Sequence, residues 1–130
     1  MNKKYEYLVY AGGSFAIEWY FNEKGHSDAL HYYESLRDSD RIQILKLFKR
    51  MGDGGEIKDK TKFMYEGDKI YAFKPHPDRF LCFFYDGRKI IVTNAFRKKQ
   101  QKIPKNEKER ALKTRNDYTM RVKSGEYYDK

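Results

Sequence analysis

The chain has 130 residues, and its 28 Lys and Arg against 19 Asp and Glu give it a formal net charge of +9. This length allows one domain with a buried core and is too short for two ordinary ones. The positive charge favours a polyanionic partner over a small neutral ligand, and the single cysteine, Cys82, excludes an internal disulfide.

The N-terminal part predicts a weakly defined start followed by one strand. Residues 1–14 are polar and tyrosine-bearing, and they end in Gly12 and Gly13, so we interpret them as a loosely held extension or a weak strand. Residues 15–21 (FAIEWYF) are apolar and aromatic, which predicts a strand.

Two helices are predicted next. Residues 27–36 carry apolar side chains every three to four positions, and so do residues 39–51. Ile42 and Leu45 belong to the apolar stripe of the second helix, and Gly52 is a natural stop. We expect both helices to pack on one face of a later sheet.

The middle of the chain predicts a meander of strands. Residues 70–73, 80–85 and 90–96 are rich in β-branched and aromatic side chains, and a shorter strand is predicted at residues 63–65. Asp86-Gly87 links the last two runs and is typical of a two-residue type I′ hairpin turn.

A basic helix is predicted at the C-terminus, from residue 107 to about residue 120. Asn106 and Glu109 have the spacing of a capping box at its start. The predicted fold is α+β, with an antiparallel-rich sheet of about four to five strands, two N-terminal helices packed on it and this basic helix. We treat residues 1–130 as one domain, with residues 1–14 and 119–130 as potential extensions.

Positive charge is concentrated in the last third of the chain. Nine basic and two acidic residues lie between Arg97 and Arg115, a net charge of +7. If neighbouring strands pair antiparallel, Lys74 and Arg79 meet at one end of the sheet, and Lys98 and Lys99 emerge near it. Such a cluster is typical either of a solvated sheet edge or of a phosphate-binding site.

The sequence contains almost none of the motifs that are typical of a catalytic nucleophile or a metal site. His26, His31 and His76 are too scattered to predict a zinc site, although His76, in a proline-flanked turn, is a weak candidate for proton transfer. The cation cluster could instead support RNA scission, in which the ribose 2′-hydroxyl attacks its own 3′-phosphate. That reaction needs no protein nucleophile, and we expect no cofactor or metal. Tyr118, on the last helix, could stack on a base or carry a proton.

Three segments, taken in order, resemble the RelE/HigB superfamily of toxins, in its phage-derived branch. They are DRIQILKLFKRM, IYAFK and DRFLCFFYDGRKIIVTNAFRKKQQKIPKNEKERALKTRNDY, and the resemblance spans about residues 16–118. It implies a RelE-like fold and a metal-independent endoribonuclease that cuts mRNA on the ribosome. It also implies a cognate antitoxin, often a helix-turn-helix protein, as partner.

The resemblance, together with the charge pattern, gives a set of candidate site residues. The Lys-Lys pair and the strand-opening arginine of the family match Lys98, Lys99 and Arg79, and Lys74 stands where the family has a strand-end arginine. The predicted catalytic residues are Lys74, Arg79, Lys98, Lys99 and Tyr118. The predicted RNA-binding residues are His76, Asn94, Arg97 and Lys102.

A second interpretation stays open. The chain could be a non-catalytic nucleic-acid binder, or a member of the same superfamily that poisons a topoisomerase by protein contact. The two interpretations differ in whether transcripts are cut. In either case no run of residues reaches the ~18 apolar residues of a membrane helix, the N-terminus does not resemble a signal peptide, and we expect a cytoplasmic protein with no membrane partner.

Overall fold

A computed structural model of the chain describes residues 6–99 and 102–128. The strands are β1 (Leu8–Ala11), β2 (Ala16–Trp19), β3 (Phe63–Tyr65), β4 (Tyr71–Phe73), β5 (Asp78–Tyr85) and β6 (Lys89–Arg97). The helices are α1 (Asp28–Glu34), α2 (Asp38–Gly54) and α3 (Lys105–Ser124). All six strands form one sheet, in the order β1-β2-β6-β5-β4-β3. The predicted α+β class is confirmed, and the predicted four to five strands are one or two too few.

The sheet is mixed because the N-terminal hairpin joins it in parallel. β2 lies beside β6 and runs in the same direction, with Ile17 opposite Ile90 and Trp19 opposite Val92. β1 pairs antiparallel with β2 and forms the outer edge. Its residues are exposed or half-buried, and it confirms the weak strand that was one of the two interpretations of residues 1–14.

The predicted meander is confirmed, since β3, β4, β5 and β6 pair antiparallel in succession. Asp86 and Gly87 both have positive φ, at 56° and 66°, as the hairpin prediction requires. The strands pair as far as Tyr85 and Lys89, so the loop contains Arg88 as well and is one residue longer than predicted.

The helices cover both faces of the sheet. Phe48 of α2 packs against Phe73 and Phe80, whereas Tyr118 of α3 packs against Phe83 and Tyr85. Alternate residues of a strand point to opposite faces, so α2 and α3 lie on opposite sides of β5. α1 shares the α2 face through a contact between Tyr32 and Phe80.

Several predicted helix boundaries and faces differ in detail. Ile42 and Leu45 are 51% and 39% exposed, because the next row of side chains on α2 supplies its buried face. α2 continues past Gly52 and ends at Gly54, and the residue that caps it, Gly55, has a left-handed φ of 76° that suits glycine. α3 begins after Pro104 with no side-chain cap, so the predicted capping box does not form.

Both segments treated as potential extensions contribute to the core. Tyr7 and Tyr127 are each 4% exposed, and the Tyr7 hydroxyl donates to the carbonyl oxygen of Tyr127 at 2.9 Å. The Tyr127 hydroxyl accepts from the amide of Phe21 at 2.9 Å. Residues 1–5 and 129–130, which belong to the same predicted extensions, lie outside the described residues. None of the helices in the described residues is both long and apolar enough to cross a membrane.

The approach of the β1–β2 turn to α2 gives a prediction for two neighbouring glycines. A Cβ added to Gly12 would lie 2.6 Å from the amide nitrogen of Asp53 and closer still to the carbonyl group of Gly52, whereas one added to Gly13 would meet nothing within 4 Å. Gly12→Ala should therefore lower the free energy of unfolding by about 1–3 kcal/mol, as overpacking does. Gly13→Ala, the matched control, should leave it nearly unchanged in urea unfolding. Equal midpoints for the two variants would contradict the close approach.

Candidate functional site

A cleft opens on the α3 face of the sheet, at the end where β4 finishes, β5 begins and β6 finishes. Its volume is about 270 Å³. Its lining combines four cations, one carboxylate and two apolar side chains. The lining residues are Met64, Glu66, Lys74, Arg79, Lys98, Lys102 and Ile103.

Strand pairing brings three of the predicted catalytic residues into this cleft. Arg79 lies opposite Phe96 in the β5–β6 register, and Phe96 is two residues before Lys98 in sequence. The Lys98 amide donates to the carbonyl oxygen of Pro77 at 2.9 Å, which holds Lys98 beside the start of β5. Lys74 directly follows the last residue of β4 and thus reaches the same end of the sheet.

Arg79 is the most unusual member of the cleft, since its side chain is buried and forms no ion pair with any residue that the structure describes. The residue is 2% exposed, and its Nη1 donates to the carbonyl oxygen of Asp78 at 2.9 Å. Within the described residues no carboxylate lies at ion-pair distance from it. Burial lowers the pKa of Arg79, and the charges of Glu66 and Asp78 oppose this only in part. A buried guanidinium without a counterion is costly, and an anion in the cleft would offset that cost.

Lys74 is held in place as a second donor. Its Nζ donates to the carbonyl oxygen of Lys60 at 3.0 Å. Burial lowers the pKa of Lys74, and the nearby charges of Arg79 and Lys98 lower it further. The cations of the cleft therefore repel one another, an arrangement that is typical of sites for polyanions.

Glu66 is the site residue that the sequence did not reveal. It is the carboxylate of the lining, and it lies in the turn after β3. Burial raises the pKa of Glu66, although the cations Lys74, Arg79, Lys108 and Lys98 act to lower it. In sequence it is a glutamate beside a glycine, which is typical of a solvated turn and carries no signal of burial.

The structure leaves Tyr118 far from the cleft. Tyr118 is fully buried under β5, where its hydroxyl lies 2.6 Å from that of Tyr128. Burial raises its pKa, so it is a core side chain instead of a proton carrier at the cleft. The helical spacing could not reveal this, because α3 has few apolar side chains to mark its inner face.

Most of the other predicted residues also lie outside the lining, and Lys102 is the exception. Asn94 is buried and its amide nitrogen donates to Glu107 Oε1 at 2.9 Å, which ties β6 to α3. Arg97 is exposed and pairs in register with Asp78, whose carboxylate accepts from Tyr32 on the α1 face. The two remaining residues, His76 and Lys99, are exposed and do not line the cleft, and the His76 ring lies 3.0 Å from the carbonyl oxygen of Thr61.

The basic segment is partly neutralised once the chain is folded. Lys108 pairs with Asp68 at 2.9 Å, and Arg110 pairs with Asp28 at 2.7 Å. Lys98 and Lys102, by contrast, have no ion pair with any residue that the structure describes. Folding therefore neutralises part of the basic segment and leaves these two lysines of the cleft unpaired.

The cleft can bind an oxyanion with Arg79, Lys74 and Lys98 and can accept a proton on Glu66. Met64 and Ile103 add apolar walls on which a base or ribose could rest. In residues 6–99 and 102–128 no group of three or more His, Cys, Asp or Glu side chains is arranged to hold a metal ion. Cys82 is buried in the core, which raises its pKa and keeps the thiol unreactive.

A family model described as phage-derived protein Gp49-like (DUF891) matches residues 31–116. The match contains all seven residues that line the cleft and leaves out β1 and β2. No curated protein matches the chain.

The raised pKa of Glu66 predicts a pH-dependent cost in stability. The folded protein holds this proton more tightly than the unfolded chain, so the ionised carboxylate destabilises the fold above the ordinary value of 4.5 and not below it. Glu66→Gln removes this dependence. Its melting temperature should rise relative to that of the wild type as the pH increases from 4 to 7. A difference between the two proteins that stays constant over this range would contradict the prediction.

Proposed function

The chain belongs to the family of phage-derived Gp49-like proteins, and from this membership we propose that it is the toxin of a type II toxin–antitoxin pair, an endoribonuclease that cleaves mRNA on the ribosome. The observation that carries the proposal is the buried guanidinium of Arg79, which lies in a cleft with Lys74 and Lys98 and lacks an anionic partner among the described residues. The resemblance to RelE/HigB toxins supports the same conclusion.

The reaction suited to this cleft uses the RNA itself as nucleophile. The ribose 2′-oxygen forms a bond to its adjacent phosphorus, and the bond from phosphorus to the 5′-oxygen of the next nucleotide breaks. Negative charge grows on the phosphoryl oxygens as this occurs, and Arg79 and Lys98 would stabilise it. Lys74, whose pKa is lowered, is suited to give a proton to the departing 5′-oxygen.

The size and lining of the cleft support a single-stranded substrate. A volume of about 270 Å³ suits one ribose-phosphate linkage with its base, and it is too small for a duplex. Met64 and Ile103 provide apolar surface against which an unstacked base can lie. The proposal therefore places a short, extended stretch of mRNA across the end of the sheet, as the ribosome would present it.

The partner implied by this function is an antitoxin that blocks the cleft. A segment carrying carboxylates would satisfy Arg79 and Lys98 in the way the RNA phosphate does. Binding of either partner should weaken as salt increases, because both associations neutralise the same cations. We expect the antitoxin to be a helix-turn-helix protein encoded by a neighbouring gene.

Variants of the cleft cations test the nuclease directly. Arg79→Ala and Lys98→Ala should each slow cleavage about 100- to 1,000-fold, the usual cost of removing a donor that stabilises transition-state charge. Lys99→Ala, next in sequence but outside the lining, should cost much less, and Lys46→Ala on the exposed face of α2 should cost nothing. Cleavage is measured by mapping transcript ends after induction, together with growth.

The same experiment separates the alternative functions. Growth arrest with intact transcripts and damaged DNA would indicate that the protein is a topoisomerase poison and not a nuclease. No arrest, with RNA binding retained, would indicate a binding protein without catalysis. Equal losses in the Lys98 and Lys99 variants would contradict the assignment of the cleft as the site.

A further inference from the structure

Glu66 is the carboxylate that the fold holds inside a cleft of cations. We propose that Glu66 is the general base that takes the proton from the reacting 2′-hydroxyl, and that Asp68 positions it by fixing its turn to α3. This inference rests on the proposed ribonuclease function and adds the group that activates the nucleophile. It also sets the substrate class, because a general base for a 2′-hydroxyl acts on RNA and has no reaction with DNA.

The first support is the position of Glu66 relative to the cations. Glu66 enters the cleft from the edge of the sheet, after β3, whereas Arg79 and Lys98 enter from β5 and from the end of β6. A phosphate bound by Arg79 and Lys98 would thus be bordered by a carboxylate. Among the described residues, no cation lies at ion-pair distance from the Glu66 carboxylate, which is therefore available to accept a proton.

The second support is electrostatic. Burial raises the pKa of Glu66, while charges on four surrounding elements oppose that rise: Lys74 after β4, Arg79 on β5, Lys98 after β6 and Lys108 on α3. A carboxylate whose pKa is raised from its ordinary value is a stronger base, and the cations limit how far burial raises this pKa.

The third support is the unusual backbone of the turn that carries Glu66. Gly67, Asp68 and Lys69 have φ of 93°, 53° and 63°, three left-handed residues in succession, of which two are not glycine. Such conformations cost free energy and persist only where the surroundings hold them. Two backbone hydrogen bonds hold this turn. The Glu66 amide donates to the carbonyl oxygen of Ile70 at 2.7 Å, and the Ile70 amide donates to the carbonyl oxygen of Gly67 at 2.9 Å.

Asp68 then ties this turn to the last helix. Its carboxylate pairs with Lys108 at 2.9 Å, and its carbonyl oxygen accepts from Arg115. The turn lies so close to the helix that a Cβ on Gly67 would come within 2.7 Å of Lys108 Nζ. Since Glu66 is two residues away, this attachment limits where the backbone of Glu66 can lie. Asp68 is thus a positioning residue that makes no contact with RNA.

The proton and the bonds balance in the proposed step. The 2′-hydroxyl proton passes to the Glu66 carboxylate as the 2′-oxygen bonds to phosphorus. The bond to the 5′-oxygen breaks, and that oxygen takes a proton from a cleft lysine. The products are a 2′,3′-cyclic phosphate and a 5′-hydroxyl, and the enzyme returns to its starting state when Glu66 passes a proton back to the lysine through water.

The test compares Glu66→Gln with Glu109→Gln, a control on the exposed side of α3. Single-turnover cleavage of a reporter mRNA is measured in a reconstituted translation system. Glu66→Gln should slow cleavage about 100- to 10,000-fold, the range attributed to a general base. Its ribosome binding should be unchanged, and Glu109→Gln should cut like the wild type. Melting curves establish that each variant is folded.

The pH profile distinguishes Glu66 from a lysine base. With Glu66 as base, the wild-type rate rises with pH along an acid limb, and Glu66→Gln loses that limb. If Lys74 were the base, the rise of the rate with pH would persist in Glu66→Gln. It would move to lower pH, because the charge of Glu66 raises the pKa of Lys74 and the variant lacks that charge. A persisting, shifted limb would overturn the assignment.

Asp68→Asn tests the positioning role, since asparagine tolerates a left-handed φ and removes only the charge that pairs with Lys108. It should slow the wild type about tenfold and have no effect in the Glu66→Gln background, a coupling that a structural role alone would not produce. Equal losses of rate in both backgrounds would overturn the positioning role of Asp68.

The failure of the proposed function and the failure of the Glu66 assignment are distinguishable. A wild type that cuts no RNA would refute the ribonuclease function itself, whereas a wild type and Glu66→Gln that cut equally fast would refute only the assignment of Glu66.

Discussion

Antiparallel pairing of β5 with β6 sets the position of the cations in the cleft. In this register Arg79 lies opposite Phe96, and the main chain of Lys98 continues the pairing through its bond to Pro77. A slip of one residue would turn Arg79 to the opposite face of the sheet and away from the cleft. The convergence of charge is therefore secured by backbone hydrogen bonds and by the apolar side chains that bury both strands, and not by contacts among the cations, which repel one another.

Net charge along the sequence and free charge on the folded surface are different quantities in this protein. The +7 segment includes Lys108 and Arg110, whose partners Asp68 and Asp28 come from distant parts of the chain. Exposed ion pairs of this kind contribute little stability, with a median near 0–1 kcal/mol, roughly. Their effect is geometric, because they join α3 to the β3–β4 turn and to the start of α1. The same acidic residues neutralise two cations of α3, whereas Lys98 and Lys102 of the cleft have no ion pair within the part of the chain that the structure describes.

Local sequence patterns were sufficient for the features that depend on neighbouring residues. The hairpin at Asp86-Gly87 and the placement of Lys74, Arg79 and Lys98 at one end of the meander follow from strands that are adjacent in sequence. Features that depend on distant contacts were not predictable. Residues 1–14 predicted a weak strand as one alternative, but they do not reveal that it forms an edge of the sheet. Nothing around Tyr118 indicates which side of α3 is buried. Glu66 was missed for the same reason, because its burial is created by α3 and by the segment after β6.

A site that holds both signs of charge must keep them from neutralising each other. If Glu66 closed an ion pair with Arg79, the guanidinium would lose its affinity for phosphate and the carboxylate would lose its basicity. Within the described part of the chain the two groups form no ion pair, and they lie on separate elements, Arg79 at the start of a strand and Glu66 at a left-handed turn that Asp68 joins to α3. The cost is visible in the raised pKa of Glu66 and the lowered pKa of Lys74. Backbone strain and unpaired charge in one cleft are typical of functional sites, where stability is lost in favour of activity. The ligand that we propose, an RNA phosphate with its 2′-hydroxyl, would satisfy both signs of charge at once.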